Sequence, residues 1–198
     1  DYLIPCTAML QELVQNYKTS IVLCTATQPS LDNFFGQIEK FVELCPRMEE
    51  QFEFFRRVTY QNIGNISKEN MAERLKKEQR ALCIVNTRKR AQELYQLLKS
   101  EGVYHLSTTM YPKHRKKVLA NVKERLDNKD RCILIATSLV EAGVDLDFLS
   151  VYRQIAGIDS LIQAAGRCNR NGNESTEESK GYIYDFEDSK VIPSQQKK

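Results

Sequence analysis

The chain is 198 residues long, 41% apolar and 28% charged, with 29 Lys and Arg against 26 Asp and Glu. That composition belongs to soluble globular domains and excludes collagen-like, disordered and membrane-spanning chains, because no apolar run approaches the roughly 18 residues a spanning helix needs. A formal net charge of only +3 is no argument for nucleic-acid binding by itself, so the placement of the charges must carry any such reading.

Leu3, Met9, Leu10, Leu13, Val14 and Tyr17 share one side of an amphipathic stretch, and Ser20–Cys24 is a continuous apolar run that reads as a strand. Its end carries Thr25-Ala26-Thr27-Gln28-Pro29. Two hydroxyls around an alanine suit a tight polar turn that bonds phosphate or a carboxylate, or one that merely caps the helix Pro29 opens. From Cys45 to Gln79 the composition turns polar, with Cys45-Pro46, the acidic-aromatic stretch Glu49–Phe55 and Gly64-Asn65. We therefore expect residues 1–45 to be the tail of one domain and 46–198 a second, more complete one.

Ala81–Val85 is the next apolar run, followed by helical spacing through Ala91, Leu94, Leu97 and Leu98. Asn86-Thr87-Arg88 at its end reads both as a helix N-cap and as a backbone-contacting turn. Val103–Leu106 is a third run, and Pro112 suits the first turn of the helix that carries Val118, Leu119, Val122 and Leu126. Pro112 to Arg131 holds eight Lys and Arg against three acids, either the solvated face of a crossover helix or a source of phosphate contacts. Cys132–Ala136, Val151–Arg153 and Gly181–Tyr184 complete the strand candidates, with Asn171–Lys180 a loop and 194–198 a frayed end. Unalternated runs separated by helices imply strands buried on both faces of a parallel sheet, hence an α/β fold with binding residues at the carboxyl ends of the strands.

Two strand ends stand out. Thr137-Ser-Leu-Val-Glu-Ala-Gly-Val-Asp145 follows Ala136: hydroxyls leave the strand, Gly143 permits a left-handed turn, and Asp145 places a carboxylate behind it. Farther on, Gln163, Arg167 and Arg170 fall at helical spacing on one face, with Gly166 permitting close approach and no Glu between Leu161 and Asn173. Two guanidiniums and an amide suit a polyphosphate, because the planar Arg fork takes phosphate oxygens in pairs and stays charged.

The six cysteines (6, 24, 45, 83, 132 and 168) are never closer than 18 residues, whereas zinc ligands pair two to four apart. They read as reduced core cysteines of a cytoplasmic protein, and no metal site is expected. The chain opens on Asp1 and shows no secretory leader, so we expect a piece of a longer protein.

In this order, the segments at 25–29, 137–145 and 163–170 resemble motifs III, V and VI of superfamily two helicases, which are built from two RecA-like domains with ATP between them. Gln163, Gly166, Arg167 and Arg170 match the motif VI pattern Q/H-x-x-G-R-x-x-R position by position, and Ala164 departs from the Arg common there. The fuller strings Asp159–Gly172, Leu23–Pro29, Gly143–Phe148 and Phe54-Phe-Arg-Arg-Val58 are most similar to the CRISPR-associated helicase-nuclease of type I systems.

The resemblance implies a RecA-like parallel sheet with helices on both faces, preceded by a short remnant of the first RecA-like domain. Arg167 and Arg170 would be arginine fingers for the γ-phosphate, with Gln163 linking them to motif III, where Thr25 and Thr27 couple nucleotide state to DNA grip. Gly143, Asp145 and Gly166 would line the nucleotide, and Thr87, Arg88 and Thr137 would touch the DNA backbone. ATP and Mg²⁺ would be held mainly by the first domain, since no glycine here is followed by lysine and no D-E-x-H occurs. The implied function is ATP-dependent single-strand DNA translocation in CRISPR interference, with the surveillance complex (Cascade) and an HD nuclease domain as partners and no membrane. The isolated chain is expected neither to hydrolyse ATP nor to unwind DNA, and its Arg167 and Arg170 to be mobile. A non-catalytic RecA-like nucleic-acid-binding module, or a restriction or repair helicase of the same superfamily, are the alternatives.

Overall fold

The amphipathic stretch at the start of the chain is a helix in the computed structural model, α1 (Leu3–Tyr17), closed by Lys18 in the left-handed region at φ 53°. The structure describes residues 2–24, 42–141 and 143–189; Thr25, Thr27 and the rest of the 25–29 segment lie outside them, as do 194–198. Two compact units divide the chain, Asp1–Phe55 and Arg56–Lys198. Besides α1, the first unit holds α2 (Met48–Phe54), whose first turn carries Glu49 and Glu50 against the positive end of its backbone dipole. Ser20–Cys24 is not a strand, and Cys24 is exposed. An apolar run becomes a strand only where a neighbour takes its N–H and C=O groups, and all the strands among the described residues lie in the second unit.

That unit is built on β1 (Thr59–Ile66), β2 (Arg80–Ile84), β3 (Val103–Leu106), β4 (Cys132–Ala136), β5 (Ser150–Gln154) and β6 (Lys180–Phe186), with helices α3 (Lys68–Lys76), α4 (Arg88–Leu98), α5 (Pro112–Asp127) and α6 (Ile158–Ala165). All neighbouring strands are parallel, in the order β1-β6-β5-β2-β4-β3. The two-residue strand period sorts the apolar runs between two cores. Ala81, Cys83, Ile133 and Ile135 pack with Met71 and Leu75 of α3 and Ala91 and Leu94 of α4. Leu82, Ile84, Leu134 and Ala136 pack with Val118, Val122 and Leu126 of α5 and Ala164 of α6. The fold is thus the α/β sheet the unalternated runs predict.

Two elements and one residue depart from the sequence pattern. β1 and α3 occupy the stretch that reads as a polar boundary. As the outer strand, β1 is mostly exposed, so it needs no apolar alternation; α3 announces itself only through Ser67, whose Oγ accepts from the Asn70 N–H at 3.2 Å. Leu97 keeps helical spacing but faces solvent, 44% exposed. The six cysteines are free, with Cys83, Cys132 and Cys168 buried and Cys6, Cys24 and Cys45 exposed. Burial pushes each of the three buried thiols up to about 12, which leaves them inert as nucleophiles.

Gly102, between α4 and β3, sits at φ +77°, and a Cβ there would stand 2.5 Å from the Arg131 carbonyl oxygen. Gly143 has φ +71° but open space around it. Gly143→Ala should therefore cost only the backbone penalty of about 1–2 kcal/mol, and Gly102→Ala clearly more, as read by urea denaturation.

The His105 ring on β3 stacks on Tyr95 of α4 with centroids 5.7 Å apart, and its buried Nε2 has no hydrogen-bond partner among the described residues. Burial lowers the pKa of His105, so the unfolded chain takes the proton first. The stability tied to a neutral His105 is present above the unfolded value of about 6.5 and is lost as pH falls below it. Between about pH 7.5 and 5.5, His105→Phe should flatten the fall of the urea midpoint.

Candidate functional site

The chain leaves β4 through Thr137 and a 3₁₀ turn, Ser138–Val140, and returns to the start of β5 by way of Gly143, Asp145, Asp147 and Phe148. Phe148 forms a parallel bridge with Cys168: its N–H donates to the Arg167 carbonyl and its own carbonyl accepts from the Asn169 N–H, both at 2.9 Å. The segment after β4 and the turn after α6 are therefore joined backbone to backbone.

α6 ends at Ala165, with Gly166 at φ −64° as its cap. Arg167 and Arg170 thus lie on the turn beyond the helix, not on one helical face, because Asn169 at φ 46° breaks the periodicity between them. Arg167 is 8% exposed. Its Nε donates to the Val140 carbonyl at 3.0 Å and its Nη2 to the Glu141 carbonyl at 2.7 Å, so it is fixed rather than mobile. Burial lowers its pKa, nearby Arg170 adds to that, and Asp145 offsets it.

Arg170 points outward, its side chain 43% exposed. Its Nε donates to Asp145 Oδ1 at 2.9 Å. Its backbone N–H and that of Asn171 donate to the two carboxylate oxygens of Asp147, at 2.8 and 3.1 Å. Asp145 is itself 76% exposed, and a surface pair of this kind contributes little, so the guanidinium can exchange it for another anion. Gly166 needs no special backbone angle here: a Cβ would meet nothing closer than the Gln163 carbonyl oxygen at 3.5 Å. Gln163 is half-buried in α6.

The other expected site residues gather elsewhere. Thr87 and Arg88 follow β2 and Thr137 follows β4, all at carboxyl ends as expected. The 166–171 turn does not: the Phe148–Cys168 bridge holds it beside the amino end of β5. Thr87 Oγ1 accepts from the Arg90 N–H at 3.2 Å and so caps α4, while Arg88 is exposed. Thr137 Oγ1 is buried with no hydrogen-bond partner among the described residues.

Sequence reasoning passed over a buried polar network beneath those carboxyl ends. Arg153 of β5, 3% exposed, pairs through Nε with Glu141 Oε1 at 2.9 Å. Its Nη1 donates to Asn86 Oδ1 and to the Gln154 carbonyl, each at 2.7 Å. The Asn86 N–H donates to Gln154 Oε1 at 2.9 Å, and Gln154 Nε2 donates to Asp185 Oδ1 at 2.9 Å. Burial pushes the Glu141 carboxyl up, against the opposing pull of Arg153 and a hydrogen bond from Ser160. The signal was present in the sequence: an Arg and a Gln inside an inner strand are expected only where partners wait. Among the described residues, no group of three or more His, Cys, Asp or Glu could hold a metal ion, and no helix is long and apolar enough to cross a membrane.

With this geometry in place, likeness to known proteins defines the class. Over 69% of this chain and 19% of the other, the structure superimposes on T. fusca Cas3-ATP with a TM-score of 0.57 at 20% identity. Over 67% and 36% it superimposes on S. cerevisiae Dbp5 bound to RNA and ADP BeF3 with a TM-score of 0.51 at 18% identity. The fold is that of a RecA-like helicase domain. Residues 77–173 match the family described as CRISPR-associated nuclease/helicase Cas3, C-terminal. A CRISPR-associated nuclease/helicase Cas3 of Methanothermobacter thermautotrophicus is 32% identical over 128 residues, 64% of this chain and 15% of that protein. These matches place residues 77–173 with the C-terminal region of Cas3-type CRISPR helicases; the chain spans only 15% of the length of that relative.

Arg153→Leu leaves the Glu141 carboxylate buried without its cation, and should cost about 3 kcal/mol or more at neutral pH. The folded pKa of Glu141 already lies above its ordinary value, so protonation favours the fold. Part of the loss should return as pH is lowered toward about 5, read from denaturation midpoints at the two pH values.

Proposed function

We propose that this chain supplies the second RecA-like half of an ATP-driven motor that moves along single-stranded DNA in CRISPR interference. In this reading residues 1–45 are the end of the first RecA-like domain and 46–198 are the second. The observation that carries it is Arg170: an exposed guanidinium on a turn fixed by both Asp147 oxygens, its side chain held by an exchangeable surface pair with Asp145 and by a 3.4 Å bond from Nη1 to the Gly166 carbonyl. A cation prepositioned in this way stabilises charge developing on a γ-phosphate without reorganising at the moment of reaction.

Arg167 acts beside it. Its guanidinium orders the Val140–Glu141 turn and keeps Gly143 and Asp145 in place along the nucleotide, with Gly166 leaving room for close approach and Gln163 linking the site to Thr25 and Thr27. ATP and Mg²⁺ are held mainly by the first domain, and the ion supplies charge neutralisation at the phosphates. The exposed Arg170 guanidinium would face the far side of the triphosphate.

Thr87, Arg88 and Thr137 form the DNA track, as hydroxyl and guanidinium donors at the ends of neighbouring strands. The Thr137 hydroxyl is buried with no protein partner among the described residues, and a phosphate oxygen would reach it once the turn after β4 opens. Likeness to Cas3 proteins favours the CRISPR surveillance complex (Cascade) as the partner that delivers the strand and an HD nuclease domain, in the same or a partner chain, as the one that cuts it.

The 198-residue chain alone should show no ATP hydrolysis. In the full-length protein Arg170→Ala should lower kcat for DNA-stimulated ATP hydrolysis by about 100-fold or more; an unchanged kcat overturns the assignment. Arg88→Ala should weaken binding of a labelled oligothymidine and make the slope of log affinity against log salt shallower by about 0.7, as measured by fluorescence anisotropy.

A further inference from the structure

The Arg170 backbone is gripped from both sides, and only one grip belongs to the motifs already described. Its N–H donates to Asp147. Its carbonyl accepts from Arg57 Nη1, and Arg57 is the second residue of the Arg56–Lys198 unit. We infer that Arg57 is a positioning residue for Arg170, strapping the first residues of that unit to the turn that carries the guanidinium. The inference rests on reading Arg170 as the phosphate-facing arginine.

Three further observations place residues 56–57 against this turn and the loop after it. The Arg57 carbonyl accepts from Asn169 Nδ2 at 3.3 Å. The Arg56 carbonyl accepts from Thr176 Oγ1 at 3.4 Å. The Arg57 side chain lies along Gly172, where a Cβ would stand 3.5 Å from its Cζ and Nε. Gly172 itself has φ +68°, so a side chain there would be strained in its backbone although the space beside Arg57 would admit a Cβ.

Asn169 explains how the strap closes. It is 2% exposed and sits at φ 46°, a conformation Asn tolerates better than most residues. Its Oδ1 accepts from the Glu174 N–H at 3.1 Å and its Nδ2 donates to the Glu174 carbonyl at 2.7 Å. The same Nδ2 reaches the Arg57 carbonyl. One buried amide therefore both shapes the 169–174 turn and clasps the lead-in segment to it.

The consequence is mechanical. With N–H and C=O both held, the peptide groups on either side of Arg170 have fixed planes, so displacement of residues 56–57 moves the Arg170 backbone with them. Position matters at this scale, because a shift of about 1 Å in a reacting geometry costs on the order of 100-fold in rate. The segment that joins Phe55 to the sheet is thereby a control on the proposed finger rather than a passive linker.

The test uses the full-length protein and DNA-stimulated ATP hydrolysis, with kcat and KM for ATP measured separately. Arg57→Met, which keeps the aliphatic stem, and Arg57→Gln, which keeps polarity, should each lower kcat about 10-fold or more while KM stays within about twofold. Arg57→Lys, which restores a donor and the charge, should recover part of the loss. In an Arg170→Ala background Arg57→Met should add no further loss, since both act on one group. A folded Arg57→Met or Arg57→Gln protein with unchanged kcat, where Arg170→Ala is impaired, overturns the strap alone. Losses that multiply in the double variant also overturn it. An unimpaired Arg170→Ala overturns the finger reading, and the strap falls with it.

Discussion

Residues 145–148 and 167–171 come from different parts of the chain, yet they act as one piece of backbone. Phe148 makes ladder bonds to the residues on either side of Cys168, and Asp147 takes two successive N–H groups of the turn. A carboxylate accepting backbone N–H groups makes strong, charge-assisted bonds, and here it fixes direction as well as distance. Without that joint, Arg167 would have no reason to face the Val140 and Glu141 carbonyls, and Arg170 no defined side from which to leave the surface. The whole candidate site is a consequence of two loops sharing a short parallel ladder.

The two arginines of that turn illustrate opposite uses of one side chain. Arg167 is buried and spends its donors on carbonyls, so its charge serves local order. Arg170 is exposed and paired with an exposed carboxylate, where water screens the attraction and the guanidinium remains available. The Arg153–Glu141 pair follows the first pattern at the other end of the sheet. Both partners are buried, so the desolvation of the charges offsets most of their attraction. What the network achieves is a fixed relation between the ends of β2, β4, β5 and β6, and with it the spacing of Thr87, Arg88 and Thr137.

Much of this was legible in the residues. Apolar runs such as Ala81–Val85 and Cys132–Ala136 are buried on both faces, and that is what an unalternated run means. The Gly143–Phe148 and Gln163–Gly172 strings carried the resemblance, but the single helical face expected for Gln163, Arg167 and Arg170 does not form, because α6 ends at Ala165 and Asn169 breaks the period. Ser20–Cys24 misled, because apolar character alone does not supply a neighbouring strand. β1 escaped notice for the converse reason: an outer strand that lays only Ile63 and Ile66 on the core carries too little apolar pattern to read. Asp147, Arg153 and Asn169 were passed over because their partners are distant in sequence, and single polar residues near a motif look alike until those partners are placed.

The linear order of residues determined the inner strands, α4, α5 and α6 of the second unit, the parallel sheet and the likeness to Cas3, because these depend on local period and on short strings with strict spacing. Tertiary structure alone decided that Arg167 turns inward and Arg170 outward, that the turn carrying them lies by the amino end of β5, and that Arg57 stands against it. Those outcomes depend on which carbonyls and carboxylates remain unsatisfied once the sheet has closed, and directional hydrogen bonds of that kind have no one-dimensional signature.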